Sequence, residues 1–107
     1  MIRTFAKREG KRFCLYVSGH AEKTKEGERV CAAVSVLIAM LIRHAHGAGD
    51  CRHVRALQTS GSCSLSCTGD IGEIFEMVVR TFDELAVDYP THMARVSYVG
   101  DKGEEIT

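Results

Sequence analysis

The chain has 107 residues, 45% hydrophobic and 26% charged, with 14 basic and 14 acidic side chains that cancel to a formal net charge of zero. This is the composition of one globular domain over residues 1–107 with a modest core. The neutral balance excludes the clear basic excess of a strong nucleic-acid footprint, so no direct nucleic-acid binding is expected.

Residues 1–8 alternate, with Ile2, Thr4 and Ala6 on one face and Arg3, Phe5 and Lys7 on the other, the period-2 signature of a strand. Glu9-Gly10 marks a turn, and residues 11–18 return with Phe13, Leu15 and Val17 alternating with Cys14, Tyr16 and Ser18, which predicts a hairpin. Gly19 ends the second strand. Residues 21–29 lack apolar periodicity and read as a mobile loop. A helix then runs from about Glu28 to about His46, with Glu26 and Glu28 at its positive end and Arg43, His44 and His46 at its negative end. Its middle, Val34 to Ile42, is apolar all round and needs cover on more than one side, part of it from a second subunit. Gly47-Ala48-Gly49 closes it.

Residues 52–59 and Cys63 to Thr68 predict a second hairpin around Ser60-Gly61. Asp70, followed three residues later by Glu73, predicts a capping box opening a second helix. Ile71, Ile74, Phe75, Val78, Phe82, Leu85 and Tyr89 form its apolar stripe, and Tyr89-Pro90 stops it. Residues 92–99 predict a fifth strand and residues 100–107 a frayed tail. The expected fold class is α+β: a two-layer domain with a mixed, mostly antiparallel sheet and two helices, in the order ββαββαβ.

No apolar leader follows Met1, and the run Val30 to Ile42 is too short to span a bilayer. The expectation is a cytoplasmic protein with no membrane partner. There the five cysteines are reduced, and an odd number fits thiols better than a disulfide framework. Net neutrality hides a division. Residues 1–60 carry 11 Lys and Arg against 5 Asp and Glu, a balance of +6, and residues 61–107 carry 3 against 9, a balance of −6. Either the halves complement each other across the fold, or one charged surface meets a partner.

His20 at a strand end and Cys31 at a helix start are the residues that carry chemistry. Unpaired amides at a helix start favour a thiolate and offer an oxyanion hole, and the imidazole serves as general base and acid. The alternatives are a buried structural thiol and a solvated histidine. Ser35 lies one helical turn beyond Cys31 and shares its face. Glu28 either orients His20 or favours the helix start. Cys51, His53, Cys63 and Cys67 invite a metal site. Cys63 and Cys67, four apart on a strand, are roughly 13 Å apart, too far to share zinc. No metal and no cofactor are expected, and Cys14, Cys51, Cys63 and Cys67 are left to packing.

Phe13-Cys14-Leu15-Tyr16-Val17-Ser18-Gly19-His20-Ala21, with Val30-Cys31-Ala32-Ala33-Val34-Ser35, resembles the ribosomal-processing cysteine proteases of Firmicutes and related bacteria. The second-helix ending Leu85-Ala86-Val87-Asp88-Tyr89-Pro90 is similar too. The resemblance implies a cysteine endopeptidase that removes the N-terminal extension of a large-subunit ribosomal protein, the one numbered twenty-seven. It implies Cys31 as nucleophile, His20 as general base, Ser35 as the serine one turn later, and a small α+β homodimer. The sequence departs from the family's pattern at Gly27-Glu28-Arg29-Val30-Cys31, one residue shorter than usual, with Glu28 where the family carries Asp. The alternative function is a non-catalytic ribosome-assembly or ribosome-associated binding protein that uses the charge-polarised surface.

Overall fold

Alternation over the first eighteen residues produces the central hairpin. In the computed structural model, which describes residues 1–100, β1 (Arg3–Glu9) pairs antiparallel with β2 (Arg12–Ser18). Thr4, Ala6, Phe13, Leu15 and Val17 are buried on one face. The turn between the strands places Gly10 at φ 58°, a left-handed conformation that glycine adopts without strain. The second hairpin, β3 (Arg52–Thr59) and β4 (Ser62–Thr68), joins through β4 to β2. The register of β3 breaks between Arg52 and Arg55, where His53 takes φ 54°. β5 (Ser97–Val99) adds in parallel to β1. The five-stranded sheet has the order β3-β4-β2-β1-β5, and the elements follow the expected ββαββαβ sequence.

Two helices cover one face. α1 (Lys25–Gly47) buries Val30, Val34, Ile38, Leu41 and Ala45, and α2 (Gly72–Asp88) buries Phe75, Val78, Val79, Phe82 and Ala86. Phe13 and Phe75 meet with ring centroids 4.9 Å apart, and Phe75 meets Tyr98 edge-on at 6.4 Å. Arg8 crosses the Phe13 ring and pairs with Glu76 at 3.1 Å. Glu76 also accepts from the Tyr98 hydroxyl. Burial and this carboxylate together push the Tyr98 phenol well above its usual range.

Three sequence expectations are corrected. First, α1 starts three residues before Glu28. Thr24 is its N-cap, and its hydroxyl accepts the Gly27 N–H at 3.0 Å. The first turn lacks apolar periodicity because, apart from Gly27, it faces water. At 23 residues α1 is long and apolar enough to cross a bilayer by length and composition, yet its apolar stripe lies on the sheet. Second, the capping box at Asp70 and Glu73 does not form. Ile71, 2% exposed, is pulled into the core and becomes the N-cap residue of α2 without a side-chain hydrogen bond. Third, the fifth strand covers Ser97–Val99 rather than 92–99, with an isolated bridge from Met93 to Ile2. His92 lies in a turn, its N–H donating to the Tyr89 carbonyl. The tail expected over 100–107 lies outside the described residues beyond Gly100.

Candidate functional site

The cleft forms where β2 ends. Gly19, at φ 93°, turns the chain out of the sheet, and its N–H donates to the Gly61 carbonyl of the β3–β4 turn at 3.0 Å. A side chain at Gly19 would collide with the Met1 carbonyl oxygen, its Cβ only 2.2 Å away. His20 follows and lies against Gly61, where a Cβ would stand 2.5 Å from His20 Nε2. The His20 carbonyl accepts from the Met1 ammonium at 2.6 Å.

His20 and Cys31 line two adjoining cavities, and Ser60 lines both with them. The first, about 240 Å³, has an apolar floor of Ile2, Val17, Val34 and Ile38. Ser35 stands on its wall one turn after Cys31, as the four-residue spacing predicts. Its carbonyl accepts from Gln58 Nε2 at 3.4 Å. The second, about 560 Å³, has Glu22, Lys23 and Glu28 among its lining residues. Two adjoining, largely apolar recesses, the second with charged side chains among its lining, suit an extended peptide with one apolar side chain seated next to the thiol.

Cys31 is half-buried, but it is not at the helix start. It is the seventh residue of α1, in the second turn. Its amide falls within the i→i−4 ladder, past the unpaired donors of the first turn. One of those donors, the Gly27 N–H, is already taken by Thr24. The expected oxyanion hole of helix-start amides at Cys31 is therefore absent from this arrangement, because Thr24 starts the helix earlier than the charged run suggested. The β3–β4 turn contributes Ser60, Gly61 and Ser62 to the lining of the cavity that Cys31 shares. The sequence reading treated Ser60-Gly61 only as a hairpin turn. The Ser60-Gly61 pair was its one signal in the sequence, and Gly61 takes φ 83°.

A second thiol, Cys63, lines the first cavity and donates to the Thr59 carbonyl at 3.9 Å. Burial pushes its pKa up, so it stays a thiol. Cys67 is buried four residues further along β4, and burial together with a hydrogen bond to Cys51 pushes it up to about 12. All five cysteines are free, and among the described residues no group of three or more His, Cys, Asp or Glu side chains is placed to hold a metal ion.

His92 has partners that the sequence did not reveal. Its ring is 4% exposed, its Nδ1 accepts the Glu22 N–H at 3.3 Å, and its Nε2 lies 3.2 Å from Glu26 Oε1. The ring's proton therefore belongs on Nε2, aimed at the carboxylate. His92 fastens the segment between His20 and α1 to the C-terminal half of the chain.

No protein-family model matches the sequence, and no curated protein matches it. Solved structures do. The crystal structure of SMU.848 from Streptococcus mutans is similar with a TM-score of 0.67 at 21% identity, covering 92% of this chain and 98% of that one. The essential ribosomal processing protease Prp from S. aureus, in complex with a covalently linked product peptide, is similar with a TM-score of 0.73 at 16% identity. The same protease in complex with a substrate peptide gives 0.71 at 15%. Both cover 92% of this chain and 99% of theirs. The chain thus shares the fold of Prp from end to end over the matched residues.

Proposed function

We propose that the protein is a cysteine endopeptidase of the ribosomal-processing type. In this reading it works in the cytoplasm as a homodimer and removes the N-terminal extension of large-subunit ribosomal protein twenty-seven. The observation that carries the reading is the convergence of His20, from the end of β2, and Cys31, from α1, on one cleft with an apolar floor. The shared fold with Prp supports it.

His20 takes the Cys31 proton, and the thiolate sulfur bonds to the scissile carbonyl carbon while the carbonyl electrons move to oxygen. The hydroxyl of Ser60, which lines both cavities with Cys31, donates to that oxyanion in place of helix-start amides. Collapse breaks the C–N bond, and His20 returns its proton to the leaving amine. Water, deprotonated by His20, then attacks the thioester and releases the carboxylate product and the thiol. Ser35 steadies the thiol-bearing face, and Glu28 sits on the rim where the substrate chain passes. Val36 and Met40, 67% and 43% exposed, supply the outward apolar stripe of α1 for pairing with a second copy.

The test is incubation with the unprocessed ribosomal protein of the same organism, read by mass. The extension is expected to be lost with wild type and retained with Cys31→Ala, whose melting temperature stays unchanged. Full cleavage by that variant would sink the proposal.

A further inference from the structure

Only one face of the sheet is covered by helices. The other presents Arg3, Phe5 and Lys7 from β1, Tyr16 and Arg12 from β2, and Arg55 from β3. The register places Phe5 directly opposite Tyr16 on neighbouring strands, and both rings are open to water, at 40% and 46% exposure. The next pair along is Lys7 and Cys14, and the one after it Glu9 and Arg12. Beside Tyr16 and Cys14, β4 carries Ser64 and Ser66 in place of aliphatic residues.

Cations flank the aromatic pair on both sides. On one side a shallow concavity of about 580 Å³ is lined by Lys7, Arg12, His53 and Arg55, with Glu9 its one acid. Lys7 and Glu9 pair at 2.9 Å, both well exposed, so that pair is largely solvated. Arg12 and Arg55 supply the excess charge. On the other side Arg3 shares a second depression with Phe5 and Tyr16. Among the described residues, four cations against one carboxylate give this face a balance of +3, although the whole chain is neutral.

We infer that the open sheet face binds single-stranded RNA. Two exposed rings on adjacent central strands are a stacking platform for unpaired bases, and cations on both sides suit the phosphates that flank a stacked base. The Ser64 and Ser66 row leaves room for bases and offers hydroxyls to a 2′-OH. A second protein copy is a poorer occupant. Apart from the two rings, Leu57 and Val99, the face is polar and charged, far from the apolar core of an obligate interface. The expectation of no nucleic-acid binding followed from net charge, and net charge does not describe a surface on which the charges are segregated. The inference is independent of the cleft, because none of these residues lines the cavities shared by His20 and Cys31.

The test is fluorescence anisotropy with a labelled oligouridylate of about ten nucleotides, titrated with the full-length protein from about 50 mM salt upward. Saturable binding that weakens with salt is expected. Phe5→Ala with Tyr16→Ala should weaken it about tenfold or more, Tyr16→Ser alone should act in the same direction, and Phe5→Tyr should retain it. Arg12→Gln with Arg55→Gln should flatten the log–log salt slope by about 1.4. All these side chains are on the exposed face, and unchanged melting temperatures verify that the variants fold. The inference is overturned by absence of saturable binding at low salt or by unchanged affinity in the aromatic variants. It is equally overturned if duplex RNA or the deoxy-oligonucleotide binds as tightly. A dimer that the aromatic variants dissociate, seen by light scattering, would assign the face to a second copy instead.

Discussion

The His92 ring accepts the backbone N–H of Glu22, seventy residues away in sequence, and so holds the segment that delivers His20. Replacing it with alanine removes that acceptor and opens space beside Gly27, where even a Cβ would stand 3.2 Å from the ring's Cε1. His92→Ala is expected to speed amide hydrogen exchange across residues 21–27 by about five- to tenfold, as loss of one hydrogen bond near 1 kcal/mol requires. His92→Asn, which retains an acceptor, is expected to fall between. Unchanged exchange in both variants would show that the bond does not restrain the segment.

Two glycines separate backbone strain from site geometry. Gly10 and Gly61 both sit at positive φ, 58° and 83°. A Cβ at Gly10 meets nothing within 4 Å, whereas one at Gly61 would stand 2.5 Å from His20 Nε2. Each alanine variant carries a left-handed cost of about 1–2 kcal/mol. Only Gly61→Ala should also displace the imidazole. Both melting temperatures are expected to fall by similar amounts, while peptide cleavage is lost in Gly61→Ala and kept in Gly10→Ala. Equal cleavage by the two would separate His20 from the turn.

Asp83 links α2 to the strand that follows, accepting from Arg95 at 2.8 and 2.7 Å and from the Val96 N–H at 3.1 Å. The Arg95 guanidinium holds its carboxyl below the usual range despite partial burial. A lowered folded-state pKa means the stabilisation is present above the unfolded value of about 3.9 and is lost as pH falls through the folded one. Asp83→Asn should therefore melt a few degrees below wild type at neutral pH, with the gap closing on acidification below about pH 4. A gap independent of pH would trace the difference to packing.

Thiol chemistry sorts the cysteines. With a pKa of about 12, Cys67 holds only about one part in ten thousand as thiolate at pH 8. Limited iodoacetamide treatment at that pH, read by peptide mass, is expected to label Cys31 first and leave Cys63 and Cys67 intact. The Cys31 rate should drop in His20→Ala. Early labelling of Cys67 would contradict the burial described for β4.

The strands were legible where one face is buried, because Ile2-Thr4-Ala6 and Phe13-Leu15-Val17 alternate in step with the pleat. The start of α1 was not, since residues 25–29 face solvent and need no apolar period there, and the cap at Thr24 lacks the usual acidic partner three residues on. Alternation through residues 92–96 suggested strand, but those residues carry only one bridge, Met93 to Ile2. In the cleft, the four-residue spacing of Cys31 and Ser35 put both on one helix face, while the pairing of His20 with Cys31 came from the family resemblance. Ser60, Gly61 and His92 were not legible, because what places them beside the cleft is long-range contact: Gly19 to Gly61, and Glu22 to His92.

The parallel pairing of β1 with β5 and the bridge from Ile2 to Met93 give the chain's first and last described elements a common seam. During synthesis, a chain grown to residue 90 holds both cleft residues but neither His92 nor the strand that completes the sheet. The residues that line the cleft all precede residue 90, so what the C-terminal seam adds is the tie from His92 to Glu22 and the edge strand beside β1.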